Sequence, residues 1–476
     1  MFSVTYAATE NPKVMIGSNY GSRFRCLGFL NSGMQFAWTS PFIVKITKDK
    51  VNYDITEDEA SYFATIPPVT MMISSSIFSY LTHTVGPKKV YLSAAIPSIL
   101  GWTLLIIAKQ VYVFYIARVL VGISTAILFV AFPTYIGEIA EPKIRGTFGN
   151  VQNVANFLGQ FAINLIGSYL DVKQTSYVCL IVPMSFLILF PFMPESPYFL
   201  LRKGKDEEAK AVLKWLRRKT DIEEDFVQMK ADVQRQTSEK GTWKELVTVE
   251  ANRKALLAGI FLRISQQFCG LQAFTVYTKY IFEKSGSNLS PDMSTLVYSG
   301  MVLILNSATC FMTEYLGRRR AYTYSIGACA IVLWILGTYF VIDEFQPQID
   351  LSSFQWVPLA GLVCYTIVSS FGVMMIPTLM LSELFSASIK SKGLMIMSFI
   401  IGAGTTSVIQ LFYFLNTTFG MFCPFMLFAA CSTVSSVLTN WIVPETKGMT
   451  LEEIQQSLKK KKNESITKSE PLPQII

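Results

Sequence analysis

Two adjacent glutamines, Gln266 and Gln267, stand 13 and 14 residues past Arg253 in an otherwise apolar stretch. On a helix rising about 1.5 Å per residue, that is roughly 20 Å along the axis, near the middle of a bilayer. An amide at that depth is costly without a partner and marks a functional position. It donates and accepts hydrogen bonds at once, as a hydroxyl requires of its partner, and it orients a ligand without the desolvation cost of a charge. On a continuous helix Gln266, Gly270, Ala273 and Tyr277 share one face. The chemistry suggested is recognition of a hydroxyl-rich ligand. The competing reading is that both amides hydrogen-bond neighbouring helices. Bond-making chemistry finds no support. There is one His, and no Ser/His/Asp set, phosphate loop or metal-ligand cluster appears. The eight Cys lie mostly in apolar runs without paired spacing, so they read as free thiols. No cofactor, metal or enzymatic activity is expected.

The elements that must hold these amides are membrane helices. Of 476 residues 51% are hydrophobic and only 16% charged, with a mean hydropathy of +0.39. Residues 90–108, 321–342 and 421–443 carry no charge at all, and about 20 such residues cross a hydrocarbon core. Continuous rather than alternating apolar runs mean helices. Twelve spans are predicted, near 24–44, 60–82, 90–108, 113–136, 148–170, 176–194, 254–282, 293–316, 321–342, 355–382, 393–416 and 421–443. The fold class is therefore an all-α membrane protein. Residues 202–253 form the one long polar stretch, with amphipathic segments such as "DEEAKAVLKWLRR" read as short surface helices. No apolar segment resembling a cleaved leader occurs in residues 1–23.

Charge sets direction. With a cytoplasmic N-terminus, 32 of the 41 Lys and Arg fall inside, which predicts that both termini and residues 202–253 are cytoplasmic. Asn288 in "NLS" and Asn416 in "NTT" then face outside, Asn288 being the better placed for glycosylation. The Lys459–Lys462 run reads as a solvated tail that favours anionic lipid, not a nucleic-acid site.

Inner-side signals recur in order. "HTVGPKK" (83–89) is answered by "EYLGRRR" (314–320). Glu138 precedes Arg145 by seven residues, as Glu383 precedes Lys390. "PESP" (194–197) is answered by "PETKG" (444–448). Two parallel six-helix repeats account for this. Each corner sets a carboxylate (Glu138, Glu195, Glu314, Glu383, Glu445) beside clustered cations that include Arg145, Arg318, Arg319 and Lys390. Such pairs would brace one half and latch both halves; the simpler reading is that the charges only set topology.

"RVLVGISTAILFVAFPTYIGEIAEPKIRG" (118–146), "PESPYFLL", "QQFCGLQAF" (266–274), "GRRR", "SELFSASIK" and "VPETKG" resemble the sugar-porter family of the major facilitator superfamily, from the first span to residue 454. Tyr198 after "PESP" and "SIKSKG" resemble its insect facilitated trehalose transporter group. The resemblance implies two six-helix bundles, 24–201 and 254–443, joined by the linker 202–253 and flanked by cytoplasmic segments 1–23 and 444–476. It implies a multi-pass cell-membrane protein that moves a small sugar by alternating access, with no obligate protein partner. It places Gln266, Gln267, Gln272, Asn153 and Thr378 at the substrate. The pocket departs from the family's pattern. Gln272 stands for Asn, and Asn153 for Gln with Gln152 beside it. Thr378 in "MMIPT" stands for the Trp that floors a pyranose, Ser370 for Glu, and Ile401-Gly402 for Asn-Trp. Fewer rings mean a wider site with less stacking surface, suited to a disaccharide, a polyol or another small solute; a non-transporting sugar sensor is the other functional class.

Intramembrane charge completes the expectations. Arg118 should brace helices, and Arg263 either pairs with an acid or faces the cavity and favours an anionic group. His83 and Pro87 weaken the first inner corner relative to the second. Proton-coupled members of the family place an Asp in the first span where Thr39 stands here, and no Asp or Glu occurs between residues 11 and 48. Uncoupled transport is therefore expected.

Overall fold

The computed structural model describes residues 26–139, 142–217, 222–238, 242–285, 289–309, 317–346, 348–349, 352–385 and 389–446, with the side chains of 142–150, 232, 235–238, 352, 381–383 and 390–391 outside that description. Among the described residues every regular element is helical. The first half contains α1 (26–37), α2 (Thr39–Lys48), α3 (Glu57–Val85), α4 (Pro87–Ser93), α5 (Ala95–Ile107), α6 (Val111–Ile139), α7 (Pro142–Tyr169) and α8 (Val172–Leu189). The linker holds α9 (Pro197–Arg202), α10 (Asp206–Arg217), α11 (Glu223–Ser238) and α12 (Trp243–Thr248). The second half contains α13 (Glu250–Phe268), α14 (Leu271–Lys284), α15 (Pro291–Thr309), α16 (Arg318–Phe345), α17 (Val357–Ser370), α18 (Ile376–Leu384), α19 (Lys390–Phe419) and α20 (Phe422–Ile442). Among the described residues six segments are long and apolar enough to cross a membrane by themselves: Pro87–Ile107, Val111–Ile139, Val172–Phe192, Arg318–Phe345, Lys392–Phe419 and Phe422–Ile442. The remaining expected spans are shorter, interrupted or richer in polar residues, and they occupy the chain positions that complete the twelve.

Local chemistry explains the boundaries. Thr56 and Glu59 cap α3 reciprocally: Glu59 N donates to Thr56 Oγ1 at 3.2 Å and Thr56 N to Glu59 Oε2 at 2.9 Å. Asp171 and Gln174 form the same box at α8. In the linker, Leu213, Phe226, Met229 and Val233 bury against Leu200 and Leu201, so the apolar faces of the amphipathic segments meet one another.

The halves meet along three seams. Helix α3 lies along α19, α7 along α15, and α2 against α14. Within the first half α1 crosses α7 at backbone contact. A Cβ on Gly33 would stand 1.9 Å from the Asn156 carbonyl oxygen, and one on Gly159 2.1 Å from that of Leu30. Only glycine at both positions allows this approach, the small-residue packing used where lipid gives no hydrophobic drive.

Candidate functional site

The seventh span is not one helix. Helix α13 stops after Phe268, Gly270 takes φ +88°, and α14 begins at Leu271. A side chain at Gly270 would meet a backbone conformation that L-residues rarely adopt, and its Cβ would lie 2.5 Å from the Phe428 ring. The tenth span breaks likewise between α17, ending at Ser370, and α18, starting at Ile376. Broken backbone is tolerated at membrane depth only where its polar groups find partners, and the two breaks lie close enough to supply them. Gln266 Nε2 donates to the Val373 carbonyl at 2.9 Å and to that of Met374 at 3.3 Å. Tyr365 Oη donates to the Cys269 carbonyl at 2.9 Å. Ser325 Oγ donates to the Val368 carbonyl and accepts from Val373 N at 3.1 Å.

Arg263 joins the same cluster. It is buried, donating through Nη1 to Gln266 Oε1 at 2.7 Å and through Nη2 to Thr378 Oγ1 at 3.2 Å. Thr378 is itself exposed. Gln267, 2% exposed, accepts from Thr405 Oγ1 at 3.0 Å and packs its Cγ where a Cβ on Gly404 would come within 2.9 Å. The structure therefore brings Gln266, Gln267, Arg263 and Thr378 together. Gln272 is half-buried beyond the break, and Asn153 is exposed on α7. The break also alters the expected face. Gly270 shifts the helical phase and Tyr277 is non-helical (φ −102°, ψ 17°), so Gln266, Gly270, Ala273 and Tyr277 do not form one continuous stripe.

Gln35 went unnoticed in the sequence. It is 1% exposed, and neither its Nε2 nor its Oε1 has a hydrogen-bond partner, a state that costs about 1–3 kcal/mol when no ligand or water relieves it. Its only signal was a lone amide in "GMQFAWTSPF". The Gln35 backbone carbonyl accepts from Arg118 Nη1 at 2.9 Å, and the Phe63 carbonyl accepts from Arg118 Nε at 2.7 Å. With its guanidinium 5.3 Å from the Trp38 ring, Arg118 ties α6 to α1 and α3. Thr39, the first residue of α2, donates through Oγ1 to the Phe36 carbonyl in the last turn of α1, 3.4 Å away.

At the end of the molecule that holds Lys48, Lys48 pairs with Glu283 and Tyr413 Oη donates to Asp58 Oδ1 at 2.7 Å, both contacts crossing between halves. Lys279 pairs with Asp292 at 2.6 Å, and Asn416 donates to Tyr280 Oη at 3.0 Å. At the end of the molecule that holds Glu138, two contacts join elements on the first-half side. Arg202 Nη2 reaches Glu138 Oε1 at 2.8 Å, and Ser196 Oγ donates to Glu138 Oε2. His83 Nδ1 lies 3.1 Å from Arg202 Nη1. Helix α13 packs on α18, α19 and α20 of its own half, whereas α14, its continuation, meets α2 of the other.

The twin Pro-Glu phrases have a shared geometry. Glu195 Oε1 accepts from Lys88 N at 3.1 Å, in the first turn of α4. Glu445 accepts from Arg318 N at 2.7 Å and Arg319 N at 3.2 Å, in the first turn of α16. A Cβ on Gly86 would lie 2.9 Å from Glu195 Oε2, and one on Gly317 2.7 Å from Glu445 Oε2. Each glutamate caps, with a full charge, a helix that starts earlier in its own half, and each glycine leaves room for it. Glu314 and Asn288, and the side chains of Arg145, Glu383 and Lys390, lie outside the described residues. Replacing Glu445 by Gln keeps the shape but removes the charge from two N–H bonds. It is expected to cost about 1–3 kcal/mol, seen as a lower unfolding midpoint of the purified protein; an unchanged midpoint would make the carboxylate dispensable as a cap.

Residues 28–458 match the family described as "Sugar (and other) transporter". The chain belongs to this family. Among similar curated proteins, the facilitated trehalose transporter Tret1 of Culex quinquefasciatus is 28% identical over 91% of this chain and 84% of its own length. Tret1 of Apis mellifera ligustica is 29% identical over 93% and 89%. Among solved structures, the xylose transporter XylE from E. coli in its inward-open conformation superposes with a TM-score of 0.76, 18% identity, and 92% and 98% of the two chains covered. The proton:xylose symporter XylE bound to 6-bromo-6-deoxy-D-glucose gives 0.73 at 19% identity, covering 94% and 100%. The fold is thus that of the major facilitator superfamily, two six-helix repeats, and this transporter-family chain is a multi-pass membrane protein rather than an enzyme.

Proposed function

We propose that this chain is an uncoupled carrier that equilibrates a sugar or sugar-sized polyhydroxylated solute across the cell membrane by alternating access. Its termini and the linker 202–253 lie in the cytoplasm, and residues 24–201 and 254–443 are its two moving bundles. Trehalose, named for the insect relatives, is the first neutral substrate to test. Gln267, Gln266, Gln272, Asn153 and Thr378 supply the polar contacts, with the broken seventh and tenth spans as the moving parts. The inner corners at Glu138–Arg145, Glu195, Glu314, Arg318, Arg319, Glu383–Lys390 and Glu445 brace each half.

The observation that carries the uncoupled reading is the surroundings of Arg118. A proton-driven carrier needs a cavity carboxylate that gains and loses its proton during the cycle, ordinarily paired with a cation. Here Arg118 holds two backbone carbonyls and a tryptophan face, and Thr39 donates to the Phe36 carbonyl. The expected result is uptake that stops at the external concentration and is unmoved by a protonophore at acidic or neutral external pH. Accumulation that collapses with the protonophore would defeat the uncoupled reading.

A further inference from the structure

We propose that Arg263, held between the broken seventh and tenth spans with no carboxylate partner among the described residues, selects a substrate bearing one carboxylate: a sugar acid rather than a neutral sugar. This rests on the carrier reading above and names the substrate class of the same site.

A guanidinium carries five N–H donors and a full charge. Arg263 is 7% exposed, yet it meets two acceptors, Gln266 Oε1 and Thr378 Oγ1, both neutral. Its Nε is buried with no hydrogen-bond partner. No carboxylate pairs with it among the described residues. Helices α17, α19 and α20 contain no Asp or Glu, and α13 and α18 hold one each, Glu250 in the first turn of α13 and Glu383 in the last turn of α18, the side chain of Glu383 lying outside the described residues. A buried charge without a partner is expensive. Bracing the two breaks does not explain it, since a neutral amide could reach both acceptors without desolvating a charge.

The position fits a ligand contact. Arg263, Gln266 and Gln267 share one face at i, i+3 and i+4, and Thr378, the acceptor at the far side, is exposed. Among the described residues helix α13 packs chiefly on α18, α19 and α20 of its own half, whereas α14 packs on α2 of the first half. A carboxylate matches the planar guanidinium fork. One is the number that balances the site. The other buried arginine, Arg118, is held at α1 and α3, which leaves a phosphate dianion half neutralised. The hydroxyls of the same ligand would fall to Gln267 and its neighbours.

The test uses the full chain reconstituted in proteoliposomes, with binding followed by thermal shift on the same preparation. Its probes are D-glucuronate, the uncharged D-glucuronamide of nearly the same shape, D-glucose and trehalose. Wild type should bind and carry glucuronate on the order of 10- to 100-fold better than glucuronamide, one to two decades being worth about 1.4–2.8 kcal/mol. Arg263→Gln should erase that preference, read as the ratio of acid to amide, and Arg263→Lys should keep part of it. Equal handling of acid and amide by wild type would overturn the proposal even if Arg263→Gln failed to fold. So would an Arg263→Gln protein that still prefers glucuronate. If neutral sugars are carried and glucuronate is ignored, the proposal fails and the sugar-carrier reading stands. A folded wild type that binds none of the four defeats both.

Discussion

Gly159→Leu is expected to abolish folded, membrane-inserted protein. The Cβ of any side chain there would sit 2.1 Å from the Leu30 carbonyl oxygen, and the reciprocal Gly33 faces Asn156 at 1.9 Å. The obstacle is backbone, which cannot turn aside as a side chain does, so α1 and α7 would have to separate along their crossing. Overpacking by a few methylenes already costs about 1–3 kcal/mol, and a forced helix separation exceeds that. Gly137, on α6, is the control, because nothing lies within 4 Å of a Cβ built there. Gly137→Ala should be neutral or stabilising by up to about 1 kcal/mol. The measurement is the monodisperse fraction of detergent-extracted protein for each variant. A monodisperse Gly159→Leu carrier would mean that the helices do not cross at this distance.

Gln267→Leu is expected to weaken sugar binding by roughly 5- to 150-fold, which is the equivalent of about 1–3 kcal/mol for hydroxyls left without partners. The substitution keeps the approximate volume and removes both donor and acceptor. A structural role must be separated from a binding one, because Gln267 Oε1 also accepts from Thr405 on α19. Thr405→Ala removes that tie and leaves the amide in place. If Gln267 touches substrate, Thr405→Ala should lose far less affinity than Gln267→Leu. Equal losses would assign the glutamine to helix packing. Gln266 differs, since its amide already serves Val373, Met374 and Arg263. Its loss should lower the turnover rate and the unfolding midpoint together, through the broken tenth span.

The one-dimensional pattern sufficed for the helices, their number and the repeat. Charge-free runs of about 20 residues have few alternatives in a bilayer, and the paired phrases at Glu195 and Glu445 recur because each half closes the same way. Which corner each glutamate serves was not legible. Lys88 N and Arg318 N lie 107 and 127 residues away in sequence, and spacing says nothing about contacts of that range. The glutamines were legible as unusual groups at mid-membrane depth, but their partners were not. Gln266 is occupied because two helix breaks happen to face each other, and the phase of α14 depends on a left-handed Gly270 that periodicity carries straight through. Arg263 is the sharpest case. Its presence in an apolar run was plain, whereas its neutral partners, Gln266 and Thr378, appear only once the two broken spans are packed together. A charge's partner is chosen by packing in three dimensions, and hydropathy and spacing describe only the order in which the helices arrive.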